Sequence, residues 1–262
     1  MLKLLKYEWK ACARTCLPLY GVLILMSLIS RILYVIPKNA SLDFMLPAIS
    51  SMLYMGVMMA AFVVTAVILI QRFYKNLLGS EGYLMFTLPV TVTQHLLSKT
   101  IIAVVMIALS GIAAFLSIGI FADMSFGTLF VDMIKGVARS GGLLFGLELL
   151  VLAVLGIADM ALFVYMCMAL GHLAGKHRLL MSVVWYVVLS TAVQVLLLMV
   201  MMGAGNAVPQ PFVDLMKVWW SGITPMGAAH LMLRFCCVFA LISDAVYFLV
   251  TRWILVHKLN LE

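Results

Sequence analysis

Six apolar runs follow one another along the chain, at about 17–36, 45–70, 100–122, 143–171, 179–202 and 232–255, with polar residues gathered between them. Runs of about 20 residues, rising about 1.5 Å per residue as a helix, are long enough to cross a hydrocarbon core about 30 Å thick. The shorter alternating segments that a closed β-barrel would need are absent. The pattern predicts an all-α integral membrane protein with six transmembrane helices, forming one membrane domain over residues 1–262.

The polar interruptions predict further elements. Residues 1–16, MLKLLKYEWKACARTC, place Leu2, Leu5, Trp9, Cys12 and Cys16 at steps of three and four, with Lys3, Lys6, Lys10 and Arg14 along the flank. This is the pattern of an amphipathic helix lying in the plane of the membrane, with Lys3, Lys6, Trp9, Lys10 and Arg14 at the headgroup boundary. The same residues also suit the charged flank of the next span. The outer segments Asp123–Gly142 and Pro209–His230 carry Phe126, Leu129, Phe130 and Met133, and Phe212, Leu215, Met216 and Trp219, at helical spacing. Both predict short helices at the outer interface, the second ended by Gly222 and Pro225. No internal repeat or low-complexity segment is evident.

The most unusual interruption is Gln71–Lys99, QRFYKNLLGSEGYLMFTLPVTVTQHLLSK, which is polar and basic yet contains the apolar patch Tyr83-Leu84-Met85-Phe86. The second span can continue as a helix through Leu78 and stop at Gly79. Ser80-Glu81 then suits the start of a short helix reaching to about Leu88, which Pro89 ends. Thr91-Val92-Thr93-Gln94 fits a capping box for the helix into the third span. An apolar patch on a water-facing loop needs a cover: a groove on a partner protein, or the lipid and the bundle ends.

Composition sharpens this picture. The chain is 66% hydrophobic and 10% charged, against roughly 45–50% and 25% in soluble domains. The net charge of +7 matters through its placement. Eleven cations (Lys3, Lys6, Lys10, Arg14, Arg72, Lys75, Lys99, Lys176, Arg178, Arg252 and Lys258) fall on one side. Six (Arg31, Lys38, Lys135, Arg139, Lys217 and Arg234) fall on the other. The positive-inside rule therefore predicts a multi-pass protein of the cell membrane with both termini and the Gln71–Lys99 stretch in the cytoplasm. The basic balance is explained without nucleic acid. The opening run lacks the short apolar core of a cleavable signal. The cysteines Cys12, Cys16, Cys167, Cys236 and Cys237 show no zinc-like spacing and read as buried thiols.

Candidate chemistry is sparse. The nearest approach to a phosphate loop, Gly171-His172-Leu173-Ala174-Gly175-Lys176-His177, lacks both the spacing and the hydroxyl, so no ATP hydrolysis is expected on this chain. No His-Glu-x-x-His or Gly-x-Ser-x-Gly turn is present. Asp159 and Asp244 lie near the middles of the fourth and sixth spans. Glu148 stands eleven residues before Asp159, on the same helical face. Such carboxylates cost a few kcal/mol at the bilayer centre, so they should face the bundle or a water-filled path. With Gln194 they are candidates for a translocation path or for interhelical polar contacts. Arg31 and Arg234 are possible partners, although snorkelling to the outer surface suits both.

The run Tyr74-Lys75-Asn76-Leu77-Leu78-Gly79-Ser80-Glu81-Gly82-Tyr83-Leu84-Met85-Phe86-Thr87-Leu88-Pro89 resembles the permease subunits of ATP-binding-cassette transporters, specifically small six-span members of the type-2, exporter-like family. The basic opening and the ending Lys258-Leu259-Asn260-Leu261 add to that likeness. The resemblance implies that Glu81–Leu88 form a cytoplasmic coupling helix docking on a nucleotide-binding ATPase subunit. Glu81, Gly82, Tyr83, Leu84, Phe86, Leu88 and Pro89 would then touch the ATPase, flanked by Arg72, Tyr74 and Lys75. It implies two ATPase copies carrying ATP and Mg, no cofactor on this chain, and a second permease chain, identical or similar. It also implies a bacterial source and an opening helix equivalent to the family's interfacial connecting helix. The importer-type Glu-Ala-Ala run is missing at the expected spacing, which favours export or flipping of a peptide, lipid or hydrophobic compound. An ion-coupled carrier or channel working alone through Asp159 and Asp244, or a non-transporting sensor or immunity subunit, are the alternatives.

Overall fold

The computed structural model describes residues 2–35, 45–78, 91–122, 131–132, 135–136, 142–174, 177–207 and 224–257. Six long helices dominate: α1 (Leu2–Val35), α2 (Met45–Phe73), α3 (Val92–Phe121), α4 (Leu143–His172), α5 (Arg178–Ala207) and α6 (Pro225–His257). All six are long and apolar enough to cross a membrane. No strand occurs among the described residues. Each predicted span is present, and most extend beyond their apolar run because the flanking polar residues carry on the same helical hydrogen-bond ladder.

The chain divides into two compact units, Met1–Gly136 and Val137–Glu262. In the first, α1 packs most extensively on α3 and next on α2. In the second, α4 packs most extensively on α6 and next on α5. The side-chain contacts give direction to the main pairings. Glu8–Lys99, Tyr20–Met106 and Arg31–Ile120 are separated by 91, 86 and 89 residues, so α1 and α3 run parallel. Glu148–His230, Glu148–Arg234 and Asp159–Ser243 are separated by 82, 86 and 84 residues, so α4 and α6 also run parallel, in nearly constant register. Each unit thus repeats one connectivity, first helix beside third, that has no counterpart as a repeat in the sequence.

The opening segment is continuous with the first span. α1 runs without a break from Leu2 to Val35, with Pro18 inside it. Its buried face is Glu8, Cys12, Cys16, Tyr20, Leu23, Ser27 and Ser30, so Cys12 and Cys16 of the expected stripe are buried while Leu5 is half-buried. Trp9 is exposed, as are Lys3, Lys6, Lys10 and Arg14. Packing on α3 sets the rotation of the whole helix, which buries the Cys12 and Cys16 end of the expected stripe and leaves Trp9 at its exposed edge.

At the other end of α2 the expected continuation is present but its pitch changes. Tyr74–Leu78 form a π-helical turn in which Leu77 and Leu78 are buried. A single turn of this kind inserts an extra residue into the ladder and re-aims the side chains that follow. Helix α3 starts at Val92 after Thr91, as expected, but without a capping box. The Thr91 side chain makes no cap hydrogen bond and its hydroxyl instead pairs with that of Thr93 at 2.8 Å. Residues 79–90, which hold the expected short helix, lie outside the described residues. So do most of the expected outer helices, of which only 131–132 and 135–136 are described as helical. Pro225, expected to end the second outer segment, is instead the first residue of α6, a position where its missing N–H costs no helical bond.

The first unit has a polar seam inside its apolar core. The Tyr20 hydroxyl pairs with that of Thr65 at 3.1 Å and donates to the Met106 carbonyl at 3.2 Å. Ser30 donates to the Ser50 carbonyl at 3.1 Å, and the Tyr54 and Ser117 hydroxyls meet at 2.9 Å. The Tyr54 ring also stacks on Phe121. In a lipid setting such bonds hold helices together where apolar packing alone gives little preference between protein and lipid tails.

The second unit is packed unevenly. Its buried residues run from Ala161 to His172 on α4 and include Thr251, Ile254 and Leu255 on α6. Before Ala161 and Thr251 neither helix has a buried residue among those described. At the packed end Gly171 lies against α5, where a Cβ would meet the Ser182 Cα and N at 2.5 Å. Only a glycine allows this approach.

Candidate functional site

Two polar constellations stand out, one in each unit. In the first, Glu8 of α1 is buried and receives two cations. Lys99 Nζ of α3 donates to Oε1 at 2.9 Å, and the Arg72 guanidinium of α2 donates to Oε2 at 3.1 Å. Lys99 is buried with it, while Arg72 is about a quarter exposed. The two cations sit on the two stems of the segment between α2 and α3. The carboxylate therefore ties both ends of that segment to the first helix. Removing one partner from such a buried pair leaves an uncompensated charge and costs about 3–5 kcal/mol.

Among the residues expected to contact an ATPase, Arg72 turns inward to Glu8, Tyr74 is half-buried, and Lys75 is exposed. Glu81, Gly82, Tyr83, Leu84, Phe86, Leu88 and Pro89 lie outside the described residues. Glu8 went unnoticed as a site residue in the sequence. A signal for it exists: it is the one acid in a run of four cations, and it stands four, eight and twelve residues before Cys12, Cys16 and Tyr20 on the buried face.

In the second unit, α4 presents Glu148 and Asp159 to α6, as their spacing implies. Glu148 accepts from Arg234 Nε at 2.8 Å and lies 2.6 Å from His230 Nδ1. Its side chain is 13% exposed, that of His230 20% and that of Arg234 64%. Arg234 thus reaches outward and still pairs with the carboxylate. Phe145 meets the His230 ring edge-on.

Farther along, Ser243 donates to Asp159 Oδ1 at 2.7 Å. Asp244, the next residue on α6, is close enough to Asp159 for the two charges to act on each other. Its Oδ1 is shut away and has no hydrogen-bond partner among the described residues. One turn on, the Phe163 ring lies 5.4 Å from both Tyr247 of α6 and Tyr186 of α5. Gln194, expected to join these acids, instead lies on the exposed surface of α5. His172, expected as a solvated or headgroup-facing group at a span end, is instead buried at the end of α4 with neither ring nitrogen hydrogen-bonded among the described residues.

No group of three or more metal-ligating side chains occurs among the described residues. No protein-family model matches the chain, and no curated protein and no solved structure matches it either.

Proposed function

We propose that the chain is the membrane-spanning permease subunit of an ATP-driven transporter, with the 71–99 stretch as the docking site for separate ATPase subunits and both termini in the cytoplasm. The observation that carries this reading is the clamp on that stretch: Arg72 and Lys99, on its two stems, both pair with Glu8 of α1. A force applied to residues 79–90 would reach α1, α2 and α3 together, because separating buried ions costs more than moving the helices as a body. The π-helical turn at Tyr74–Leu78 lies at the base of the same stem, where a change of pitch accommodates movement. The apolar patch at Tyr83–Phe86 supplies the docking surface. ATP binding on the partner would close the ATPases and switch the spans between two packings. The cargo class is a hydrophobic compound, lipid or peptide, exported or flipped, with a second permease chain completing the complex.

The experiment is co-purification of the tagged chain with ATPases encoded beside it, comparing wild type with Phe86→Asp and Tyr83→Asp. The expected result is capture by wild type and loss in both variants. Equal capture by all three removes the docking assignment.

The pair Asp159 and Asp244 favours a second reading, an ion-coupled carrier that needs no ATPase. That reading predicts transport in liposomes driven by a pH gradient and abolished by Asp159→Asn.

A further inference from the structure

The two units use polar groups differently. In the first, the buried hydroxyls of Tyr20, Ser30, Tyr54, Thr65 and Ser117 satisfy one another or a backbone carbonyl, and the buried carboxylate of Glu8 has two cations. In the second, Glu148 has Arg234 and His230 beside it, but among the described residues no Lys or Arg pairs with Asp159 or Asp244. Between Leu149 and Gly171 of α4, between Phe235 and Thr251 of α6, and along α5 beyond Arg178, there is no Lys, Arg or His. Ser243 supplies one hydrogen bond to Asp159, and Asp244 Oδ1 receives none among the described residues.

We infer that Asp159 and Asp244, with the rings of Phe163, Tyr186 and Tyr247, form a recognition site for a lipophilic organic cation; this rests on reading the chain as a transport subunit and names the cargo class. Two carboxylates near the middle of their spans, with no Lys, Arg or His between Leu149 and Gly171 of α4, between Phe235 and Thr251 of α6 or along α5 beyond Arg178, favour a positive guest. Aromatic rings one helical turn beyond them attract a cation through their faces and at the same time provide apolar contact. A hydrated metal ion fits poorly: Mg and Ca take about six to eight oxygens, and two carboxylates and one hydroxyl fall short. The position of the group within the unit also fits. The core of the unit begins at Ala161 and Thr251, and among the described residues the preceding halves of α4 and α6 hold none that is fully buried. A guest entering from these less buried halves meets the two acids first and the three rings behind them.

The test is direct binding of tetraphenylphosphonium to the purified, detergent-solubilised chain, with tetraphenylborate, of the same shape and opposite charge, as the control. No ATPase is present. Saturable binding of the cation, weakened at least about tenfold in both Asp244→Asn and Asp159→Asn, with no such effect on tetraphenylborate, is the expected result. Tyr247→Leu and Phe163→Leu keep both charges and should each weaken the cation several-fold, which keeps the test decisive if an acid variant fails to fold. Cation binding that is absent, or unchanged by the acid or the ring substitutions, overturns the site and leaves the two acids as interhelical hydrogen-bonding groups. A chain that captures an ATPase yet binds no tetraphenylphosphonium keeps the permease reading and loses this site. A chain that binds the cation yet captures no ATPase does the reverse.

Discussion

Lys99 Nζ lies 2.9 Å from Glu8 Oε1, joining the third helix to the first with both side chains more than nine-tenths buried. The two charges have been taken out of water, so each depends on the other more than surface ions do. Glu8→Gln should therefore lower the unfolding free energy in detergent by about 3 kcal/mol, because Lys99 is left with no counter-charge. Glu8→Gln combined with Lys99→Met should recover much of that loss. Thermal unfolding of the single and double variants checks both points, and a double variant no more stable than the single would exclude an electrostatic origin.

Gly171 and Ser182 make a prediction with the opposite character, since it concerns space and not charge. Gly171→Ala places a Cβ against backbone atoms of α5 at 2.5 Å, and overpacking of this kind costs about 1–3 kcal/mol. Adding Ser182→Gly removes the hydroxyl but not the backbone, so it should not restore the melting temperature. Restoration would show that the side chain alone sets the approach.

Tyr20→Phe removes a hydroxyl that bridges α1 to both α2 and α3, whereas Tyr54→Phe removes one interhelical bond, besides a weak one to Met58 within α2, and leaves its ring stacked on Phe121. Interhelical bonds of this type are worth about 0.6 kcal/mol on average and up to about 1.7 in a membrane. Unfolding measurements should rank Tyr20→Phe as the more damaging of the two.

At Glu148 the burial of the partners decides the order. His230 is mostly buried and Arg234 is largely exposed, so solvent screens the arginine pair. His230→Gln should destabilise the second unit more than Arg234→Gln despite the greater formal charge of arginine. A double-mutant cycle with Glu148→Gln measures the two couplings, and a larger coupling to Arg234 would reverse the assignment.

The proposed orientation is tested by labelling intact cells with a membrane-impermeant maleimide, in a background with Cys236 and Cys237 replaced by alanine. Lys217→Cys should react from outside and Lys3→Cys only after permeabilisation. The opposite pattern would invert the membrane topology.

The six helices were legible because apolar runs of spanning length are a property of composition alone. The shared face of Glu148 and Asp159 was legible too, since helical periodicity fixes it within one helix. What the sequence could not reveal was long-range pairing: that Glu8 collects Arg72 and Lys99, that α4 aligns with α6, or that Ser243 serves Asp159. These depend on how each helix rotates about its axis, which is set by neighbours more than 80 residues away. The face of α1 was legible only in part for the same reason: Cys12 and Cys16 lie on it as expected, but Glu8 is buried beside them and Trp9 is exposed. The π-helical turn at Tyr74–Leu78 has no counterpart in a hydrophobic pattern, because periodicity tests assume one pitch throughout.

The parallel pairing of α1 with α3 also bears on how the protein is made. Glu8 and Lys99 are 91 residues apart, and at about 5–20 residues per second a ribosome needs roughly 5–18 seconds to deliver the lysine after the glutamate. During that interval the first helix holds an acid whose final partner does not yet exist. Its carboxylate must stay at the water boundary until Arg72 and then Lys99 have been delivered. Assembly of the first unit is therefore ordered by translation, and a nascent chain arrested before Lys99 should leave α1 inserted but not locked.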